Sequence, residues 1–444
     1  SFRGRGVENF NTAQVTDMVR VFQRVAREFN ADVSGWDTSK VTSMEKMFYD
    51  AENFNQDLDR WDLSSCTNTM EMFLNCGAFN GKISNWDVSK VTSMKQMFDG
   101  AHSFNQYIGG WNVANVDNMS QMFYGAHSYN QDMNLWDVSK VTTLQRVFFH
   151  ADAFNGDISS WDTSSVIDLR YAFKEAKSFN GDISKWDVSK VQKMEGVFRQ
   201  AAAFNGDLSK WDTSKVTDMA HMFNDASSFS GDLSDWNVGK VVDMSEMFHG
   251  AKFFNSDISK WDVGNVLKAP WMFMGATSFR QDLCAWSAKL QPGIRMDNMF
   301  EFTSCPLAAD PIVSKNVIVG PFCHRCQSVS TDGHDAKAVA GKEFAGAAQA
   351  SSAYQPKEYV SSSKKSNGSD GSKFPTFVLM VMVAGVGMAV VKRDQLRELV
   401  SDTTGRGGVF GPQRQQYRHQ QIRQSYEEPT TSVELMSYDQ VRFV

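Results

Sequence analysis

Apolar positions recur along this chain on a ruler of 25 residues. Tryptophan stands at Trp36, Trp61, Trp86, Trp111, Trp136, Trp161, Trp186, Trp211, Trp236, Trp261 and Trp286. Seven residues before each lies an aromatic, from Phe29 and Phe54 to Phe279, with Tyr129 the one tyrosine. Twelve residues after each lies a phenylalanine, from Phe48 to Phe273, slipping by two to Phe300 in the last unit. Aliphatic residues (Leu58, Ile83, Ile158, Ile183) follow the opening aromatic by four. Val41, Val91 and Val191 follow the tryptophan by five, and Met44, Met94 and Leu144 come three later. A small residue such as Ala51, Ala101 or Ala201 closes the apolar set. A unit this short cannot cover its own apolar side, so about eleven units must stack and seal one another.

Within a unit, the stretch from Met44 to Ala51 has apolar residues at i, i+3, i+4 and i+7, which predicts one to two helical turns. Thr42 with Glu45, and Asp243 with Glu246, fit the capping box that would start them. The segment from the opening aromatic to the tryptophan predicts extended, turn-rich chain with short strand pieces. The expected fold is therefore a repeat solenoid of α/β character, with short strands and one- to two-turn helices in each coil.

Two polar columns run through the units. Asn follows the opening aromatic in nine of eleven units, with Ser230 and Arg280 the exceptions. Such a column predicts an amide ladder that satisfies backbone groups of the turns. Asp32, Asp57, Asp132, Asp157, Asp182, Asp207, Asp232, Asp257 and Asp282 form the second column. Like charges stacked at about 4.8 Å repel one another. Backbone amides and nearby lysines are expected to neutralise them in preference to Ca²⁺, which wants six to eight oxygens.

The unit WDVSKVTDMxxMFxxAxxFNxDISxW, over about residues 10–300, resembles the repeat of the BspA-like leucine-rich-repeat surface proteins. That resemblance implies a solenoid related to leucine-rich repeats, exposed at a cell surface, with adhesion or protein binding as its role. Departures are local: Cys66 stands for Val, Thr69 for Met and Cys76 for Ala, and Ala269-Pro270 interrupts the expected helical turn.

Composition narrows the picture. The 444 residues carry 45 Lys+Arg against 51 Asp+Glu, a net charge of -6, which argues against a nucleic-acid partner. With 42% hydrophobic and 12% aromatic residues, the chain is not disordered throughout. Six cysteines are too few to build the fold. Four of them, Cys284, Cys305, Cys323 and Cys326, cluster where the repeat decays. Two disulfides closing the last coil are favoured over a zinc site, because only Cys323 and Cys326 form a close pair. Three connectivities stay open. Cys66 and Cys76, in one coil, read equally as buried thiols or as a bridge.

The expected domains are a repeat ectodomain at 1–300, a cysteine-rich cap at 301–326 and a Ser/Gly/Lys-rich stalk at 327–373. A transmembrane helix at 374–391 and a disordered cytoplasmic tail at 392–444 follow. Residues 374–391 hold no charge and would span about 27 Å as a helix. Lysines and arginines flank this run almost equally on both sides, and Lys392-Arg393 directly at its end, with the cysteine cluster on the other side, tips the expectation toward an outside solenoid and an inside tail. Ser1 begins almost within a repeat, so further units are expected before it.

Catalytic signatures are missing from the sequence: no GxSxG elbow, phosphate-binding glycine loop or HExxH is present. His102 and His127 share a column, and a solvated pair is expected there because a metal needs further ligands. No catalytic residue, metal or cofactor is assigned. The expected function is a non-catalytic, single-pass surface module that binds a protein or glycan partner, with the bilayer held by residues 374–391. The alternatives are an envelope component whose acidic column binds cations, and a receptor that signals through its tail.

Overall fold

A computed structural model of the chain describes residues 6–313 and 318–326, which belong to one compact unit. The expected stalk, membrane span and tail lie outside the described residues. Among the described residues no helix is long and apolar enough to cross a membrane.

The coils stack in register with the tryptophans in single file. Trp36 and Trp61 are 6.5 Å apart at 8°, Trp61 and Trp86 6.4 Å at 7°, and Trp161 and Trp186 5.9 Å at 6°. All eleven are buried. From Trp61 to Trp286, each indole N–H donates to the carbonyl of the aliphatic residue 28 positions earlier; Trp61 to Val33 and Trp186 to Ile158 are examples, at 2.9 and 3.2 Å. A tryptophan thus fills the core of one coil and satisfies a buried carbonyl of the coil before it, which neither Phe nor Leu could do. Beside this file run two of phenylalanine. Phe48 lies 4.0 Å from Phe54, which opens the next unit, and 5.5 Å from Phe73 further along that unit.

The expected helical turns are not formed. In the coil of Trp36, the N–H groups of Met44, Lys46, Phe48 and Asp50 donate to the carbonyls of Asn68, Met70, Met72 and Leu74 in the next coil, at 2.8–3.0 Å. The intervening N–H groups of Met47, Tyr49 and Ala51 donate three residues back, to Met44, Lys46 and Phe48. The segment is a run of overlapping tight turns, half of whose bonds leave the coil. Its backbone changes hand twice, at Lys46 (φ 56°) and Asp50 (φ 60°), and a right-handed helix cannot pass through either. The two positions recur as left-handed columns down the stack, for example at Glu71 and Asn75, Tyr171 and Glu175, and Glu246 and Gly250. A helix of eight residues would be marginal by itself. The flat run wins because its remaining N–H groups find partners in the neighbouring coil.

The expected capping boxes are absent as well: the Thr42 hydroxyl donates to the Thr16 carbonyl, and Asp243 accepts the Ser245 N–H. Strand character sits after the tryptophan rather than before it. Single residues bridge in parallel from Asp17 and Ser43 through Asn68 to Lys268 and Arg295. The only longer strands among the described residues are Ile312–Val313 and Ile318–Val319, paired antiparallel after the stack.

The last coil, two residues longer between Trp286 and the bridge residue Arg295, carries a 3-10 turn, Cys284–Ala288, that still buries Trp286. Beyond it the chain folds back over the final core. Leu307 bridges Cys323, and Leu283 donates its N–H to the Phe322 carbonyl. Disulfides join Cys284 to Cys326 and Cys305 to Cys323. Cys66 and Cys76 are buried and free.

Candidate functional site

The two polar edges of the stack are built differently. One edge follows each tryptophan and hardly changes from coil to coil. There Asp37, Asp87, Asp187 and Asp212 each accept the backbone N–H of the Ser two residues on, at 2.9–3.0 Å. The serine hydroxyl and then this N–H hold the four carboxyls below the usual Asp value. This edge closes turns, the local Asx arrangement that Asp favours.

The Asn and Asp columns also serve backbone. Asn30 accepts the N–H of Asn55, Asn55 that of Asn80, and Asn155 that of Asn180, all at 2.8 Å. In the Asp column, Asp182, Asp207 and Asp257 accept the N–H of the Ser two residues on. Asp57 and Asp132 instead accept the N–H of Lys82 and Asp157 in the following coil.

The other edge is the face of the turn runs, and its residues vary along the stack. At the first left-handed column stand Lys46, Glu71, Gln96, Gln121, Arg146, Tyr171, Gly196, His221, Glu246 and Trp271. Three residues further on come Tyr49, Leu74, Asp99, Tyr124, Phe149, Lys174, Arg199, Asn224, His249 and Met274. Midway along the stack these side chains lie against one another. Tyr124 stacks on Phe149 at 4.7 Å, the Lys174 ammonium sits 4.7 Å above the Phe149 ring, and Arg146 lies 5.4 Å from the Tyr171 ring. Tyr171 also donates its hydroxyl to Glu195. A flat strip of half-buried aromatic, cationic and amide groups results.

A histidine cluster borders this strip. His102 stacks on His127 at 4.8 Å, and coils further on bring in His150, Asp152, Glu175 and Lys177. His127 Nδ1 lies 3.0 Å from Asp152 Oδ2 and 2.9 Å from the His150 carbonyl. Asp152 Oδ1 is 3.1 Å from Lys177 Nζ, and His150 Nε2 is 2.5 Å from Glu175 Oε2. His150 Nδ1 is buried and faces no hydrogen-bond partner among the described residues. Donor atoms of His127, His150 and Asp152 lie within 4.8 Å of one another. Burial and then the neighbouring His102 hold His127 below the usual imidazole value despite Asp152. Burial raises the Glu175 carboxyl, but the His150 bond and charge and the two lysines outweigh it and leave that carboxyl lowered.

Of the residues singled out from sequence, the eleven tryptophans lie in the core and the four clustered cysteines close the last coil. His102 and His127 meet. Asp152 follows His127 by 25 residues and so stands in its column, a spacing that could have found it, whereas His150 stands in another column. The variable columns also went unremarked, although comparing the coils position by position exposes them.

The family described as "Mycoplasma protein of unknown function, DUF285" matches the chain over residues 1–106, 57–155, 130–230 and 204–306. No curated protein and no solved structure matches the chain.

Proposed function

The chain belongs to the DUF285 family, and from that premise we propose that its coils form a rigid, non-catalytic recognition rod that binds a protein or glycan along the variable face. One observation carries this reading. Side chains that build the core or close turns recur almost unchanged, whereas the pair of residues at the two variable positions of the turn-run face is different in every coil. Repetition of the first kind maintains a scaffold. Variation of the second kind writes a particular surface onto it, and Tyr, Trp and Arg are residue types suited to binding. The uncharged run 374–391 would tether the rod to a bilayer, with the tail inside. The finer likeness to BspA-like leucine-rich repeats rests on the unit's sequence pattern. A cation-binding role for the acidic column is less favoured, because carboxylates such as Asp182 and Asp207 already accept backbone N–H groups.

The test is a binding screen of the full chain against glycans and surface proteins. For each partner captured, Arg146→Ala/Lys174→Ala on the variable face is compared with Lys190→Ala/Lys215→Ala on the constant edge. The first pair should weaken binding about tenfold or more, as central contacts do, and the second under about twofold. The reverse ranking would overturn the reading.

A further inference from the structure

We propose that His127, His150 and Asp152 form a site for a divalent transition-metal ion, Zn²⁺ foremost, that staples two consecutive coils. His127 belongs to the coil of Trp111, and His150 and Asp152 to the coil of Trp136. Two nitrogens and one carboxylate oxygen suit Zn²⁺, Co²⁺, Ni²⁺ or Cu²⁺ and not Ca²⁺ or Mg²⁺, which seek oxygen.

The geometry is close to what a tetrahedral ion needs. Ligands about 2.0–2.1 Å from Zn²⁺ stand about 3.3 Å apart. His127 Nδ1 and Asp152 Oδ2 are already 3.0 Å apart, and all three donors fall within 4.8 Å. The ion would take the place of the proton between His127 Nδ1 and Asp152, and that proton would move through solvent to Nε2. Half-buried side chains need shift by only about 1–1.5 Å to complete the set.

His150 supplies the second, independent sign. Its Nε2 donates to Glu175 Oε2 at 2.5 Å, which leaves Nδ1 as the nitrogen open to an ion. That Nδ1 is buried with no donor facing it among the described residues. An imidazole one of whose nitrogens is held by a carboxylate, while the other stays without a partner, is the arrangement metal-binding histidines adopt. Glu175 comes from a third coil, so the staple's supporting shell extends one rung further. Water would complete the fourth position.

The experiment titrates Zn²⁺ and Co²⁺ into the full-length chain, without an affinity tag, by calorimetry and visible absorption. One equivalent should bind, and Co²⁺ should show the intense visible bands of four-coordination. Zn²⁺ should also raise the melting temperature, since it binds the folded chain. His150→Gln and Asp152→Ala should each weaken binding about 100-fold or more, and Glu175→Gln about 10–100-fold. Both ligand variants are built to fold: Gln200 occupies the His150 column at the same left-handed φ of 59°, and Ala202 occupies the Asp152 column. Circular dichroism and melting without metal confirm that. His221→Gln, beside Glu246 in a separate cluster, should change nothing. The proposal fails if no stoichiometric binding occurs. It also fails if His150→Gln and Asp152→Ala bind Zn²⁺ as the parent does.

Discussion

Gly156→Ala should destabilise the stack far more than Gly181→Ala, although the two glycines occupy one column in successive coils. A Cβ on Gly156 would lie 2.2 Å from the Gln131 carbonyl oxygen and 2.7 Å from its carbon. On Gly181 the nearest backbone oxygen, that of Gly156, is 3.8 Å away, and only the Phe179 ring edge comes to 3.0 Å. The difference lies in the preceding coil. Between Gln131 and Gly156 the coils are drawn together by direct bonds: Met133 donates to the Asp157 carbonyl at 2.9 Å, and Asp157 donates to Asp132 Oδ1 at 2.8 Å. At the next step Asp157 turns its carboxylate to its own Ser159 N–H instead.

Relieving a 2.2 Å contact requires the rungs to part by about 1 Å there. That stretch breaks the two bonds just named and the Asn155 to Asn130 bond at 2.8 Å. Three bonds at about 1 kcal/mol each give about 3 kcal/mol, less about 0.4–1 kcal/mol for the stiffer unfolded chain. Gly181→Ala needs only a small ring tilt, and the same unfolded-state gain offsets its cost. Urea unfolding followed by tryptophan fluorescence should separate the two by about 2 kcal/mol, with hydrogen exchange at Met133 and Asp157 accelerated in Gly156→Ala alone. Equal midpoints would refute the claim that this step is closed by direct inter-coil bonding.

Further outcomes follow from the cap and the carboxylates. A thiol reagent should find no fast-reacting cysteine in the native chain and two in denaturant, because burial pushes Cys66 up to about 11 and Cys76 higher than its usual value while the other four are paired. A Cys284→Ser/Cys326→Ser double variant, which opens a 42-residue loop, should lower the resistance of the last coils to denaturant by about 4 kcal/mol on the chain-entropy scale. Asp218→Asn should stabilise the chain by about 0.5–1 kcal/mol at neutral pH. Burial first, then Glu195 and Asp243, raises that carboxyl, and Asn118 already serves the same column by accepting the Ser120 N–H at 2.9 Å. A raised folded value penalises the charged form, so this gain should shrink as pH falls through that value and vanish below 3.8. The Ser-bonded carboxyls of Asp37, Asp87, Asp137, Asp187 and Asp212 behave oppositely. Their folded values lie below 3.8, so the stability they contribute is present above that pH and is lost as pH falls through the lowered values. Replacing all five with Asn should flatten the acid limb of a pH-stability curve.

The inward residues of each coil were legible because burial follows spacing: Met44, Met47, Phe48 and Ala51 all point into the core. The backbone that carries them was not, because that same spacing fits a helix. What decides against the helix is the hand of Lys46 and Asp50, and Lys46 has no local reason to be left-handed. Such a residue is disfavoured by about 1–2 kcal/mol alone, and it persists here because its N–H is fixed by the next coil. The glycines in these columns, at Gly100, Gly125, Gly196, Gly250 and Gly275, together with Asp50, Asn75 and Asp225, are the traces of this in the sequence. Spacing also left the cap's connectivity open, and it was settled only by the bridge that brings Cys323 beside Leu307, close to Cys305. The histidine cluster was hidden for the same backbone reason. Asp152 lies one 25-residue period beyond His127, in the column of His102, but His150 sits at a left-handed position in a different column, so the repeat aligns only two of the three donors. A stack held by inter-coil bonds frees its turn-run side chains from the task of stabilising a helix. That freedom is what lets neighbouring coils carry Arg146, Tyr171 and Gly196 at one position without changing the backbone beneath them.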